Sequence, residues 1–210
     1  MSTNTKVSLS FKGLPWVVGG LAYYLFLRPQ MRKWGTLLGE SQRRLPGDEL
    51  VPAPNFLMTH ALNIDAPPEA VWPWIAQLGR ERTGYYSLDF LYNQGIPSVN
   101  FVRKDIAAPE VGMALDGGFT LMEVELCRKY LFGGFELDAL PGVFQDVSVL
   151  YLLERRRDGS TRLLVRRRGF GYGLSGTVYN LVFEVVYFAG MMEQLGKIKQ
   201  YAESMTHLKS

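Results

Sequence analysis

The last part of the chain has apolar residues at steps of three or four, the spacing of one face of an α-helix. This pattern predicts one long helix over Ser175–Met205. Its apolar stripe consists of Leu181, Val185, Phe188, Met192, Leu195 and Ile198. The first half of the helix, Val178–Met192, is apolar on almost every side, and such a helix is either buried or in contact with lipid.

Before this helix, apolar residues alternate with polar ones, which is the period of β-strands. The predicted strands are Phe56–Ile64, Phe119–Leu126, Lys129–Phe132, Val147–Arg156 and Thr161–Arg168. The last two flank the sequence RDGS, whose Asp-Gly pair is a strong β-hairpin signal. The second half of the chain therefore predicts an antiparallel meander followed by one long helix.

Two short helices are predicted between the first strand and the meander. Asp65 and the pair Pro67-Pro68 end the strand, and proline is well tolerated in the first turn of a helix. The apolar stripe of the first helix consists of Ala70, Val71, Trp74, Ile75 and Leu78. Gly79 is suited to end this helix, and the second helix is expected over Ser87–Gln94.

This order of elements predicts an α+β architecture, with helices on one side of an antiparallel sheet. A curved sheet wrapped around the long C-terminal helix, called a helix-grip arrangement, leaves a space between the two. That space is a natural place for an apolar ligand. We assign the ligand-binding domain to residues 56–208.

Residues 1–33 are expected to form a hydrophobic helix with a basic flank. No charge lies between Lys12 and Arg28, and more basic residues follow this stretch than precede it. By the positive-inside rule we expect an inner-membrane anchor with the main domain in the cytoplasm. The alternatives are a soluble cytoplasmic protein, or a helix that packs on the domain or on a partner subunit. Residues 34–55, rich in proline and without periodicity, are expected to be a polar linker.

The composition argues against several kinds of functional site. The chain has 210 residues, a net charge of +3, one cysteine and two histidines. Cys127 alone cannot form an internal disulfide, and His60 and His207 are too few for a histidine-based metal site. No aromatic residues alternate with the arginines of 155–168, so nucleic acid is not an expected partner. We expect no metal and no cofactor, and the sequence leaves the oligomeric state open.

The candidate ligand contacts are Tyr85, Tyr86, Asp89, Met122, Arg167, Phe188 and Met192. A tyrosine–carboxylate pair can orient a ligand carbonyl or take part in acid–base chemistry, although packing is the plainer role. Arg167 shares a strand face with Leu163 and Val165. If that face is turned inward, Arg167 is placed to bind a carboxylate or a phosphate. The alternative is a solvated strand end.

Other charged residues are weaker candidates. Arg162, Arg166 and Arg168 lie on the opposite strand face from Arg167, where they form either a solvated surface or a contact with anionic lipid. Glu184 stands in the apolar sequence VYNLVFEVVYF. A buried Glu184 would be a functional candidate, whereas a polar helix face shared with Asn180 is the plainer interpretation.

The stretch GFGYGLSG contains G-x-G-x-x-G after a strand and before a helix, as dinucleotide-binding folds do. Such a fold needs a parallel strand after the helix, and none is predicted here. The glycines are more simply explained by the turn from the sheet into the last helix, or by space at the mouth of the cavity.

The stretches LPGDELVPAPN, THALNIDAPPEAVWPWIAQLG and GYYSLDFLYN resemble the START-related (SRPBCC) superfamily. This superfamily includes Bet v 1-like proteins and polyketide cyclases, and RPQMRKWG after an apolar helix is similar to bacterial members of unknown function. The resemblance covers roughly residues 45–207 and implies a helix-grip fold with a hydrophobic cavity. It implies no single activity and no catalytic residue.

We therefore expect a protein that binds a hydrophobic small molecule or lipid at the cytoplasmic membrane surface. Whether it is also an enzyme is left open. The alternatives are a polyketide cyclase- or dehydratase-like enzyme that acts on an apolar substrate, and a membrane-associated interaction scaffold without a ligand.

Overall fold

The computed structural model describes residues 14–136, 143 and 145–207, apart from the side chains at positions 14, 16 and 207. Five antiparallel strands form one sheet in the order β1-β5-β4-β3-β2. They are β1 (Phe56–Ile64), β2 (Thr120–Glu125), β3 (Lys129–Glu136), β4 (Gln145–Arg155) and β5 (Thr161–Gly171). The predicted α+β helix-grip fold is confirmed, including the meander and the tight β4–β5 hairpin.

The helices are α1 (Leu14–Ala22), α2 (Arg28–Arg32), α3 (Pro68–Ala76), α4 (Asp89–Tyr92) and α5 (Gly173–His207). A π-helical turn, Tyr23–Leu27, joins α1 to α2, so that residues 14–32 form one continuous N-terminal helix. The two short helices predicted after the first strand are α3 and α4. The second of them is shorter than expected because Leu88, just before it, has a left-handed backbone.

Helix α5 packs across the inner face of the sheet and against α3. Its buried residues Leu195, Ile198 and Ala202 belong to a core that includes Trp74 of α3 and Val165 of β5. Tyr201 of α5 lies 4.8 Å from the Trp74 ring, centroid to centroid. These contacts fasten the second half of α5 to the domain.

The turn into α5 depends on two glycines. A Cβ atom on Gly171 would lie 2.6 Å from the carbonyl oxygen of Gly176, and one on Gly176 would lie 2.6 Å from the carbonyl carbon of Gly171. No side chain fits in so short a space. The glycines of GFGYGLSG thus allow the end of β5 and the start of α5 to touch, as their structural interpretation requires.

Residues 33–55 contain no helix or strand, but they lie against the outer face of the sheet. Leu45 joins a second apolar cluster with Leu131, Leu150 and Leu164, which point outward from the strands. This segment is held in place by the three outward arginines of β5.

Those arginines are paired and largely buried, so they do not form a solvated basic surface. Arg162 Nη2 lies 2.5 Å from Glu40 Oε2, and Arg166 Nη1 lies 2.9 Å from Asp48 Oδ2. Arg168 Nε donates to the carbonyl oxygen of Val51 at 2.8 Å. Each arginine anchors a different part of the segment to the sheet.

Candidate ligand-binding cavity

A cavity of about 720 Å³ lies between the inner face of the sheet and the first half of α5. Its aromatic walls are formed by Tyr85, Tyr92, Phe119, Phe132, Tyr151, Tyr179, Phe183 and Tyr187. Its aliphatic walls are formed by Leu91, Val143, Val149, Val178, Val182, Val186 and Met191. Both the volume and the mostly apolar lining are typical of small-molecule sites.

The cavity reaches the surface where α4 faces the start of α5. Leu91, Val178 and Val182 line it and are also exposed, at 49%, 50% and 65% of their surface. Deeper inside, α5 approaches the loop before α4 closely: Ser87 Oγ donates to the carbonyl oxygen of Gly190 at 2.7 Å. The mouth is therefore rimmed by aliphatic side chains.

The first polar group of the lining is an ion pair between β5 and β3, the strands on either side of β4. Arg167 Nη2 lies 3.1 Å from Glu136 Oε2 and 3.2 Å from Glu136 Oε1, and the two side chains are 9% and 11% exposed. Glu136 also accepts a hydrogen bond from Gln145, its cross-strand neighbour on β4. The carboxylate is thus held from two sides.

Aromatic rings surround the guanidinium of this pair. Its carbon lies 5.1 Å from the ring centroid of Phe183, 5.4 Å from that of Tyr187 and 5.9 Å from that of Phe56. Burial alone would lower the pKa of Arg167, but the charge and hydrogen bonds of Glu136, together with Tyr187 and Tyr179, outweigh burial and the pKa lies above its ordinary value. Arg167 is a permanent cation in an apolar wall.

The second polar group joins Tyr85, Asp116 and Arg80. The Tyr85 hydroxyl donates to Asp116 Oδ2 at 2.9 Å, and the Arg80 backbone N–H donates to the same oxygen. Burial first, and the Asp116 charge second, raise the pKa of Tyr85 far above its ordinary value. The phenol therefore keeps its proton throughout the neutral range and donates it in the hydrogen bond to Asp116.

A glutamine connects this group to the sheet. The Tyr151 hydroxyl donates to Gln194 Oε1 at 2.6 Å, and Gln194 Nε2 donates to the carbonyl oxygen of Tyr85 at 2.8 Å. Tyr151 and Gln194 are both buried. The chain of bonds fixes α5 and the loop before α4 relative to β4, so the polar end of the cavity is rigid.

Three further phenols line the cavity near the ion pair. Burial raises the pKa values of Tyr92, Tyr179 and Tyr187, that of Tyr179 to about 12. The positive charge of Arg167 lowers the pKa of each of these three phenols, because all three lie near the guanidinium. Each is a neutral hydrogen-bond donor at physiological pH.

Two of the predicted contact residues, Tyr85 and Arg167, line the cavity. Tyr86 does not: it is fully buried behind the loop, where its hydroxyl oxygen accepts a hydrogen bond from Gln77 Nε2 at 2.6 Å. Asp89 organises the neighbouring turn, since its Oδ2 accepts the Ser98 backbone N–H at 2.9 Å.

Met122, Phe188 and Met192 are also absent from the lining. Met122 is exposed on the edge strand β2, and Phe188 packs edge-on against the His60 ring at 5.8 Å. The neighbours Tyr187 and Met191 take the cavity side of α5 in place of Phe188 and Met192. Ligand contact by the candidate residues stays a prediction.

Glu184 lies on the far side of α5 from the cavity and binds the N-terminal helix. Its carboxylate accepts hydrogen bonds from Tyr23 Oη at 3.0 Å, Arg28 Nε at 2.5 Å and Arg32 Nε at 3.1 Å. The Glu184 side chain is 1% exposed. This carboxylate links the N-terminal helix to α5, which explains why a charged residue stands in the apolar sequence VYNLVFEVVYF.

Sequence patterns did not reveal Glu136, Asp116 or the phenols of Tyr179 and Tyr187. The helix is apolar on most sides at 178–192, so periodicity alone did not select its cavity face. Cys127 and His60 lie at opposite edges of the sheet, and within the described part of the chain no three side chains of His, Cys, Asp or Glu form a metal-binding group.

The fold has counterparts among solved structures. A hypothetical protein from Helicobacter pylori matches with a TM-score of 0.54 at 11% identity, over 80% of this chain and 99% of that chain. A Mesorhizobium loti protein matches at 0.43 and 15% identity, over 70% and 97%. The di-domain ARO/CYC StfQ from the steffimycin biosynthetic pathway matches at 0.45 and 13%, over 73% and 53%.

No protein-family model matches the sequence, and no curated protein gives a significant match. The likeness to the Helicobacter pylori protein supports the fold and nothing further. Fold and cavity together define a helix-grip protein with a largely aromatic internal cavity. This is the fold that the resemblance to the START-related superfamily implies.

Proposed function

We propose that the protein binds a hydrophobic small molecule or lipid inside this cavity. The observation that carries the proposal is the cavity itself, about 720 Å³ with mostly aromatic and aliphatic walls. Transfer of apolar surface from water into such a space is favourable by about 25 cal/mol per Å². The polar groups at Arg167 and Tyr85 would then fix the orientation of the ligand.

We further propose that binding takes place at the cytoplasmic membrane surface. The N-terminal helix exposes Val17, Leu21 and Phe26, and the first half of α5 exposes Leu181 and Val185. Among the described residues, one helix, Gly173–Thr206, is long and apolar enough to cross a membrane, a property that core helices of soluble proteins share. A soluble cytoplasmic location is the alternative.

Native mass spectrometry of the full-length protein, purified from its own host, tests the binding proposal. We expect an added mass that organic extraction removes. The variant Val149→Trp fills the cavity from β4 and should carry less of this ligand, whereas Leu38→Trp adds the same ring at an exposed position and should not. Repeated isolation of an empty protein would refute ligand binding.

A polyketide cyclase- or dehydratase-like activity is the second candidate, because Tyr85 and Asp116 form a donor–carboxylate pair inside the cavity. A neutral phenol in this place can donate a hydrogen bond that stabilises a developing enolate oxygen. With a poly-β-carbonyl substrate, Tyr85→Phe should lower turnover by about 10²-fold. Tyr86→Phe removes a phenol outside the cavity and should leave turnover unchanged.

A further inference from the structure

We propose that Glu136 sets the charge selectivity of the cavity: it holds the counter-ion position at Arg167 and so restricts binding to uncharged ligands. This inference rests on the proposed ligand binding and goes beyond it, because it names the class of ligand. A lone arginine in an apolar cavity would favour a carboxylate or a phosphate. Here that place is already taken by a residue of the same chain.

The Glu136 carboxylate is fixed in this place. Its two oxygens lie 3.1 and 3.2 Å from Arg167 Nη2, and buried Gln145 donates to one of them from the adjacent strand. Glu136 and Gln145 are directly paired in the β3–β4 register. An incoming anion would have to break both interactions or share Arg167 with a second negative charge.

Among the described residues, the charges of the lining also balance. Arg80 and Arg167 are positive, and Asp116 and Glu136 are negative. A carboxylate ligand would add an uncompensated charge beside Glu136, in surroundings that are mostly removed from water. Unpaired buried charges are strongly unfavourable, so anionic and cationic ligands should both bind more weakly than a neutral one.

The same wall still offers hydrogen bonds to an uncharged oxygen. Within the described residues, hydrogen bonds of the Arg167 guanidinium come from Nη2 alone. The neutral phenols of Tyr179 and Tyr187 are further donors in the lining. A carbonyl or hydroxyl oxygen on an apolar body fits these groups.

Three probes with the same hydrocarbon chain test the inference: dodecanol, dodecanoate and dodecylammonium. Their dissociation constants are measured on the full-length protein by displacement of an uncharged fluorophore, at mildly alkaline pH where the acid is ionised. In the wild type, dodecanol should bind at least about tenfold more tightly than either charged probe.

Glu136→Gln leaves Arg167 without its counter-ion, so dodecanoate should gain at least about tenfold while dodecanol changes little. Arg167→Gln leaves Glu136 without its counter-ion and should favour dodecylammonium. This second variant also tests the proposal if Glu136→Gln does not fold. In the double variant both gains should disappear. Asp146→Asn removes a negative charge from β4 outside the cavity lining and should alter no preference.

Dodecanoate that binds the wild type as tightly as dodecanol, or an unchanged preference in both single variants, would overturn the charge selectivity while leaving ligand binding intact. If no probe binds the wild type, the proposed function fails and the selectivity fails with it. The two failures are therefore distinguishable.

Discussion

A single buried histidine connects the N-terminal helix to the sheet. His60 on β1 is 1% exposed, and its Nε2 donates to the carbonyl oxygen of Met31 at 2.9 Å. Its ring packs against the rings of Tyr187 and Phe188 of α5. Burial lowers the pKa of His60 to about 4, so the ring is neutral in the folded protein at physiological pH.

This histidine should make the folded state sensitive to acid. Between pH 6.5, the ordinary pKa, and about 4, the unfolded chain takes up a proton at His60 that the folded chain does not. Stability is therefore fully present above 6.5 and is lost as the pH falls through this range, by at most about 3 kcal/mol. Urea unfolding as a function of pH measures the loss.

The comparison variant is His60→Gln, which keeps a donor for Met31 but cannot titrate. Its free energy of unfolding should decline less between pH 6.5 and 4.5 than that of the wild type. An identical decline in both proteins would assign the acid sensitivity to other groups.

At single residues, sequence reasoning located strand faces but not partners. Alternation along β5 placed Arg167 with Leu163 and Val165, and the structure has all three on the inner face. Glu136, its partner, lies 31 positions earlier on another strand, and no local pattern links the two. Cross-strand partners follow from register, which periodicity does not specify.

Among the elements, the N-terminal helix and α5 depend on one carboxylate for their contact. Glu184 pairs with Arg28 and Arg32, whose side chains are 13% and 28% exposed. The Glu184 carboxylate is buried, whereas the two guanidinium groups are partly exposed to water. The loss of the carboxylate therefore removes the attraction without burying an unpaired cation completely.

Glu184→Ala should detach the N-terminal helix and lower the free energy of unfolding by about 2 kcal/mol. Trypsin cleavage after Arg32 should become faster, and mass spectrometry of the fragments detects it. Glu193→Gln breaks a more exposed ion pair with Lys197 on the same helix and should cost less than about 0.5 kcal/mol. Equal resistance of all three proteins to trypsin would contradict the role of Glu184.

The elements themselves were largely accessible from the sequence. The first strand has its predicted bounds, and Asp158-Gly159 forms the expected turn between β4 and β5. The packing of residues 33–55 on the outer face of the sheet was not foreseen, because that segment has no periodic pattern. The position of this segment depends on ion pairs with arginines that are distant in the sequence, and local sequence patterns do not predict such pairs.

At the scale of the whole molecule, apolar surface is concentrated on two adjoining helices. The N-terminal helix exposes Val17, Val18, Leu21, Tyr24, Leu25, Phe26 and Leu27. The first half of α5 exposes Leu174, Val178, Leu181, Val182 and Val185. Large exposed apolar patches are typical of protein or membrane contact sites, and Val178 and Val182 also rim the mouth of the cavity.

We expect the protein to float with lipid vesicles through these helices. Replacement of Val17 and Leu21 by glutamate puts two charges on the exposed face and should lower the bound fraction at least about tenfold. The matched control replaces Leu37 and Leu38, exposed in the segment on the sheet, and should bind like the wild type. Full-length protein that stays with the soluble fraction would refute membrane association.

The π-helical turn at Tyr23–Leu27 has a consequence for how the chain tolerates changes in length. A π turn accommodates one extra residue while the helix on either side keeps its angular phase. A one-residue deletion within 23–27 should therefore preserve both faces of the helix. The same deletion in α1, before the turn, would rotate the preceding part of the helix by about 100° around the helix axis. One short stretch can thus absorb a one-residue deletion that elsewhere would turn the exposed face away.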